Sequence, residues 1–209
     1  ALLPEPEASE TYDMAVIGSG MAGCAAALEA ASAGARVIVI EKASQSRMGG
    51  NSLLAGGGFA RPVDDSEAAK QGYVEDYETV CLGRGNSRIF ELMARNVADD
   101  IAWLESHGVK FNEPSPWPPM RVVMSVAAPG MFAGMPSFFR HMRTRIPELG
   151  GTIVFDTKAR QRILDDRGAV SGVRAARAGG LIDYKAKSVV IAAGGYAGNT
   201  QMLEAYSDP

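Results

Sequence analysis

Gly18, Gly20 and Gly23 stand in the hexapeptide GSGMAG, and an acid, Glu41, follows 23 residues after the first of them. This spacing suits a diphosphate. Gly18 permits a tight turn, Gly20 lets backbone approach a pyrophosphate, and Gly23 lets a helix pack closely on a strand. The start of that helix offers unpaired N–H groups and a partial positive charge to the phosphates. Ser19, Met21 and Ala22 complete the candidate loop. Glu41, with Lys42 beside it, closes the next strand, where a carboxylate accepts hydrogen bonds from ribose hydroxyls and repels a 2′-phosphate. The motif implies a bound dinucleotide and leaves FAD and NAD both open.

A second segment, GGNSLLAGGG at 49–58, discriminates between them. A flat isoalloxazine must be met by bare backbone, because side chains would block its face and N–H groups are the donors its edge requires. Gly56, Gly57 and Gly58 suit that role, with Gly50 at the start of the run. Asn51 and Ser52 offer short polar side chains to the pyrophosphate or the ring edge, and Leu53 and Leu54 can pack beneath. A third bend, VVIAAGGYAGN, places Ala193, Gly194 and Gly195 at a strand end, where backbone can again approach a ligand.

The elements that must carry these bends follow from periodicity. YDMAVIG predicts a buried strand, MAGCAAALEAASAG a small-residue helix ended by Gly34, and ARVIVIEK a second strand, together a βαβ unit. Residues 65–82 and 86–107 are expected to be helices. In the second, Phe90, Met93, Val97, Ile101 and Leu104 share a face, Asn86 or Ser87 caps and Gly108 terminates. Four prolines in 112–124 predict an irregular connection, and a helix is expected from Ser137 to about Pro147. GTIVFDT is a further strand. Residues from 159 onward predict a small antiparallel meander that leads into a central strand at 188–193.

Taken in order, VIGSGMAG, EK, GGNSLLAGGG, GRGN and VVIAAGGYAGN resemble the FAD-dependent fumarate reductase and succinate dehydrogenase flavoprotein family, which includes tricarballylate dehydrogenase-like and 3-ketosteroid dehydrogenase-like enzymes. The resemblance runs from about Tyr12 to Pro209. It implies an α/β fold: a Rossmann-like FAD-binding domain with a parallel central sheet and an appended antiparallel β-meander. Residues 1–11 are expected to be a flexible lead and 12–209 an incomplete, N-terminal portion of the domain. The resemblance further implies that Gly18, Ser19, Gly20, Ala22 and Gly23 hold the pyrophosphate, that Glu41 holds the ribose, and that Asn51, Ser52, Gly56 and Gly57 surround the flavin. It also implies that Ala159 meets adenine through its backbone and that Ala193, Gly194 and Gly195 line the dinucleotide from the other side. FAD is expected to be noncovalent, because Asn51 stands where respiratory members carry the attaching histidine of a Ser-His-Thr motif. The flavin-adjacent cysteine pair of disulfide reductases is also missing.

Composition narrows the partners. With 21 Lys+Arg against 24 Asp+Glu and a net charge of −3, the 209-residue chain has no basic stripe for nucleic acid. No apolar run reaches the roughly 18 residues of a membrane span, and the start lacks the build of a signal peptide, so a cytoplasmic location is expected. Cys24 and Cys81 have no metal or redox spacing, and no metal is expected. No catalytic residue is assigned. His107 reads as a helix-end residue, His141 as partly buried, Arg61 and Arg121 as salt-bridge formers, and Tyr196 as a residue that covers the ring or packs.

The family's proton donor and carboxylate clamps lie in a capping domain and a later segment, both expected from the rest of the protein or from a partner chain. The function expected is the FAD-binding portion of an oxidoreductase that reduces or forms a carbon–carbon double bond next to a carboxylate or carbonyl of a small-molecule substrate. The portion alone should bind FAD poorly and catalyse nothing. Two alternatives are a noncatalytic dinucleotide-binding subunit that completes its site with a partner, and an NAD-dependent dehydrogenase, which leaves 49–58 unexplained.

Overall fold

The computed structural model describes residues 6–129 and 133–206. The first five residues of the expected lead and the terminal 207–209 lie outside them. The chain divides into two compact units, one of residues 1–54 and 142–209 and the other of residues 55–141.

The first unit is built on a six-stranded sheet. Its strands are β1 (Ala8–Ile17), β2 (Val37–Ile40), β6 (Thr152–Val154), β7 (Lys158–Leu164), β8 (Val170–Arg177) and β9 (Gly180–Ile191), in the order β6-β2-β1-β9-β8-β7. The first four in that order run parallel, and β8 is antiparallel to both of its neighbours, β9 and β7. β2 is the unbroken apolar run VIVI with every residue buried, as a strand covered on both faces requires. Strands β1, β8 and β9 add to the core Ala15, Val173, Ala175, Ile182 and Tyr184, each at most 1% exposed. Burying each of the larger of these side chains stabilises the fold by about 1.5–3 kcal/mol. Helix α1 (Met21–Ser32) turns Cys24, Ala27, Leu28 and Ala31 inward. Its residues are small because the strand backbone lies close: a Cβ on Gly23 would sit 1.9 Å from the carbonyl oxygen of Gly18.

Two boundaries differ from expectation. β1 begins at Ala8, inside the stretch read as a flexible lead, because Ala8–Tyr12 pair with Ile182–Ala186 of β9. The third meander strand and the central strand are also one element. β9 pairs antiparallel with β8 through Gly180–Lys185 and parallel with β1 through Ile182–Ile191, so one 12-residue strand joins meander to parallel sheet.

The second unit holds a three-stranded antiparallel sheet, β3 (Gly58–Ala60), β5 (Met120–Ser125) and β4 (Ser115–Trp117) in the order β3-β5-β4, and two helices. The proline-rich stretch expected to be irregular therefore forms the β4–β5 hairpin; β4 is an edge strand, where proline's missing N–H costs no ladder bond. Helix α2 (Glu67–Val80) is capped by Ser66, whose hydroxyl accepts from Ala69 N. Helix α3 (Ser87–Ser106) is capped by Asn86 and ends before Gly108 at φ +91°. Tyr73, Phe90, Val97, Ile101 and Leu104 form their buried faces. A fourth helix, α4 (Gly134–Glu148), begins three residues before the predicted Ser137 and carries the chain across the boundary between units at residues 141 and 142. Among the described residues no helix is long and apolar enough to cross a membrane.

Candidate functional site

The first bend is pinned between two strand ends. Gly18 N donates to Ile40 O at 2.9 Å, and Ala192 N donates to Ile17 O at 2.9 Å, which draws the loop against the end of β9. Gly18 has φ +98°, and a Cβ there would lie 2.6 Å from Ala192 O, so both backbone conformation and space exclude a side chain. Ser19 is fully buried. Its amide and hydroxyl both donate to Glu41 Oε2, at 2.9 and 2.6 Å, while Ala43 N donates to Glu41 Oε1 at 2.7 Å. Glu41 is 6% exposed. A carboxylate has about four acceptor positions, so three are used within the protein and one on Oε1 is left.

At the start of α1, Met21 N donates to Ser52 Oγ at 3.3 Å. Residues Gly50–Leu54 form a short 3₁₀ turn that brings Asn51 and Ser52 to this end. A Cβ on Gly20 would meet Gly49 O and Ser52 Oγ at 3.6 Å, ordinary contact distance. Behind the loop the wholly buried Cys24 donates from Sγ to Ser19 O at 3.3 Å. Burial, with the nearby Glu41 carboxylate adding to it, pushes this thiol up to about 12.

These groups enclose a cavity of about 980 Å³ that lies wholly in the first unit. Gly18, Ser19, Gly20, Glu41 and Lys42 line it, as do Gly50, Asn51 and Ser52. Ala159, Ala193, Gly194 and Gly195 complete the sequence-derived set found here. Cβ atoms at Gly50, Gly194 and Gly195 would meet nothing within 4 Å, so this backbone is open to a ligand. Three predicted residues, Met21, Ala22 and Gly23, lie in the first turn of α1 and are not lining residues. Gly23 is buried against Gly18, and its bareness serves helix packing.

Gly56, Gly57 and Gly58 belong to the second unit. There Gly57 has φ +81°, and its Cβ would meet Gly134 and Met135 at 3.4 Å; a Cβ on Gly58 would lie 2.9 Å from Val123 Cγ1. Packing within that unit accounts for both, and only Gly56 has an open side. The same unit accounts for the other polar candidates. Arg121 pairs with Asp76 and Glu75 at 3.2 and 3.1 Å, Arg61 donates to Pro62 O, and the half-buried His141 meets His107 O through Nε2 at 2.9 Å.

Tyr196, read from the sequence as covering the ring or packing, lines the cavity. Sequence reasoning left out Lys158 and the stretch from Gly198 to Met202, which also line it and include the start of helix α5 (Thr200–Tyr206). Polar loop residues have no periodicity to betray them; the signal was their position directly after Gly194 and Gly195. Among the described residues that line the cavity there is no arginine or histidine.

A parallel βαβ unit with a glycine bend at the helix start, an acid at the end of the next strand and a cavity between strand ends defines a dinucleotide-binding α/β domain. The particular family is shown by comparison: residues 13–209 match the FAD binding domain model, and the chain belongs to that family. It is 31% identical to a probable fumarate reductase, Ifc3, of Shewanella frigidimarina, over 95% of this chain and 34% of that protein. It is 30% identical to a urocanate reductase of Eggerthella lenta, over 97% of this chain and 35% of that protein. A solved flavocytochrome c3 fumarate reductase in its open conformation superposes with a TM-score of 0.79 at 28% identity, covering 97% of this chain and 36% of that one. The chain thus spans about a third of the length of these relatives. It carries the FAD-binding fold of fumarate reductase-like flavoproteins.

Proposed function

We propose that this chain is the FAD-holding part of an oxidoreductase acting on a carbon–carbon double bond next to a carboxylate or carbonyl. The observation that carries the reading is the convergence of three bends, 18–20, 49–52 and 193–195, on one cavity that also holds Glu41. The donors suit the cofactor. The α1 N-terminus and the open backbone of Gly20, Gly50 and Gly194 would take the pyrophosphate, the free position on Glu41 Oε1 would take the adenosine ribose, and Ala159 would face the adenine. Gly56 remains a candidate on its sequence and its open side alone. When bound, FAD supplies hydride transfer; the chain's own residues bind and orient it.

The cavity wall holds none of the arginines or histidines that the resembled family uses for proton delivery to a substrate carbon and for clamping its carboxylate, so those roles are assigned to residues outside this site. They are proposed to come from a capping domain or a partner chain, since the relatives are much longer. Binding is proposed to be noncovalent, with Asn51 a polar cavity residue. A cytoplasmic location belongs to the same proposal, supported by two free cysteines.

The test is direct. The purified whole protein titrated with FAD should bind it with quenching of flavin fluorescence, and acid should release all of the yellow colour. A colourless protein that takes up no FAD overturns the reading, and colour retained by the denatured chain overturns the noncovalent assignment. If FAD is held, the anaerobically reduced whole protein should be reoxidised by α,β-unsaturated carboxylates or carbonyls and not by their saturated counterparts.

A further inference from the structure

Ser19 occupies the variable second position of the glycine loop, yet it is the most tightly held residue there. Its amide and its hydroxyl converge on a single oxygen, Glu41 Oε2, at 2.9 and 2.6 Å. Its carbonyl accepts from Cys24 Sγ at 3.3 Å, and its own exposure is 0%. All three of its polar groups are therefore engaged, and none is left to meet a phosphate. Glu41, which lines the same cavity at 6% exposure, keeps one acceptor position on Oε1.

A buried carboxylate free to turn about its last torsion would present its lone pairs in several directions. Two donors on Oε2 and one from Ala43 N on Oε1 stop that rotation. The short hydroxyl bond is charge-assisted, the stronger class of hydrogen bond. Its donor is anchored by the same backbone that makes the glycine bend, so the bend and the acid are coupled.

We propose that Ser19 is a positioning residue whose hydroxyl orients the Glu41 carboxylate, leaving one Oε1 lone pair aimed for the adenosine ribose, so that recognition of the ribose hydroxyls depends on Ser19 although Ser19 does not touch them. The proposal rests on the FAD reading above. It separates two roles that the sequence motif merges: Gly20 serves the phosphates, and the residue before it serves the sugar.

The experiment compares FAD with an analogue whose adenosine ribose lacks both hydroxyls, each titrated by flavin fluorescence quenching into the apoprotein. Wild type, S19A, E41Q and the double variant are used, with apoprotein melting as a fold check. Wild type should prefer FAD by about tenfold or more, the worth of a hydrogen bond to a charged group. S19A should cut that preference at least about threefold while its melting stays cooperative, and the double variant should lose no more preference than E41Q.

A merely structural serine would weaken both ligands equally and leave their ratio intact; that result, or a double variant worse than E41Q, overturns the proposal. Should S19A not fold, Ser19→Cys, which is similar in shape though somewhat larger and weakens the donor, carries the same comparison. Wild type that binds FAD and the analogue equally overturns this proposal alone. Wild type that binds neither overturns the FAD reading and this proposal with it.

Discussion

Two stretches of the chain are rich in glycine, 18–23 and 49–58, and the space around their glycines differs. In the first, Gly18 and Gly23 are closed off by protein, with Cβ positions 2.6 and 1.9 Å from carbonyl oxygens, while Gly20 between them faces a cavity with room to spare. In the second, Gly49 and Gly50 line that same cavity, whereas Gly57 and Gly58 pack against Gly134, Met135 and Val123 inside the other unit. Each stretch thus mixes glycines that the fold needs with glycines that a ligand needs. Spacing does not separate the two kinds, but what a side chain would strike does. A Cβ that meets backbone tests stability, and one that meets open space tests binding.

The largest effect should come from the most closed position. Gly23→Ala drives a methyl into Gly18 O, and backbone cannot withdraw as a flexible side chain can, so a loss of about 3 kcal/mol or more is expected, read as a shifted urea midpoint. A variant as stable as wild type would show that the helix can lift from the strand, and the division into two kinds of glycine would fail. Gly20→Ala should do the opposite. Its Cβ makes only 3.6 Å contacts and its φ of −68° suits any residue, so the apoprotein should melt within about 0.5 kcal/mol of wild type. Its affinity for FAD should fall about tenfold or more, because the methyl occupies the phosphate approach.

Gly58→Ala sharpens the second half of the comparison. The obstacle is one methyl of Val123 at 2.9 Å, which can give way, so a loss of about 1 kcal/mol is expected with FAD affinity within about threefold of wild type. Unchanged stability with a large drop in affinity would restore this glycine to the ligand, as its sequence context suggests.

That context shows how far the sequence could be read. The βαβ unit, the bend and Glu41 were legible because strand apolarity, helix periodicity and the 23-residue spacing all point one way. β9 was not. Its first half alternates, with Tyr184 and Ala186 buried and Lys185 and Lys187 exposed, and its second half is the apolar run Val189–Ile191; a change of pattern reads as a boundary although the backbone continues. The division of 49–58 between two units was hidden for a similar reason, since glycine has no side chain whose polarity could report its surroundings. The cavity wall from Tyr196 to Met202 is polar and aperiodic, and only the sheet places it opposite the first bend.

The effect that is smallest at its onset concerns the layer behind the first bend. Cys24 ordinarily titrates at 9.0, but in the folded chain its thiol is pushed up to about 12 by burial, with the Glu41 carboxylate next in effect. The folded state therefore keeps a proton that the unfolded chain releases. Stability from this source is complete well below pH 9 and declines as the pH climbs toward 12, by about 0.4 kcal/mol at pH 9 and about 1.4 kcal/mol at pH 10. Tyr12, raised from 10.0 to about 12, mainly by burial, adds the same sign of change from about pH 10 upward. Melting temperatures across pH 8–11 should thus fall with an onset near 9. Cys24→Ala should move that onset to the tyrosine range, at the cost of the Ser19 carbonyl's partner. The thiol should also resist alkylation at pH 8 until the protein is unfolded. Rapid labelling of native Cys24, or an alkaline limb that begins at the same pH in the variant, would show that the backing of the bend is open to water, and the closed half of the comparison would lose its support.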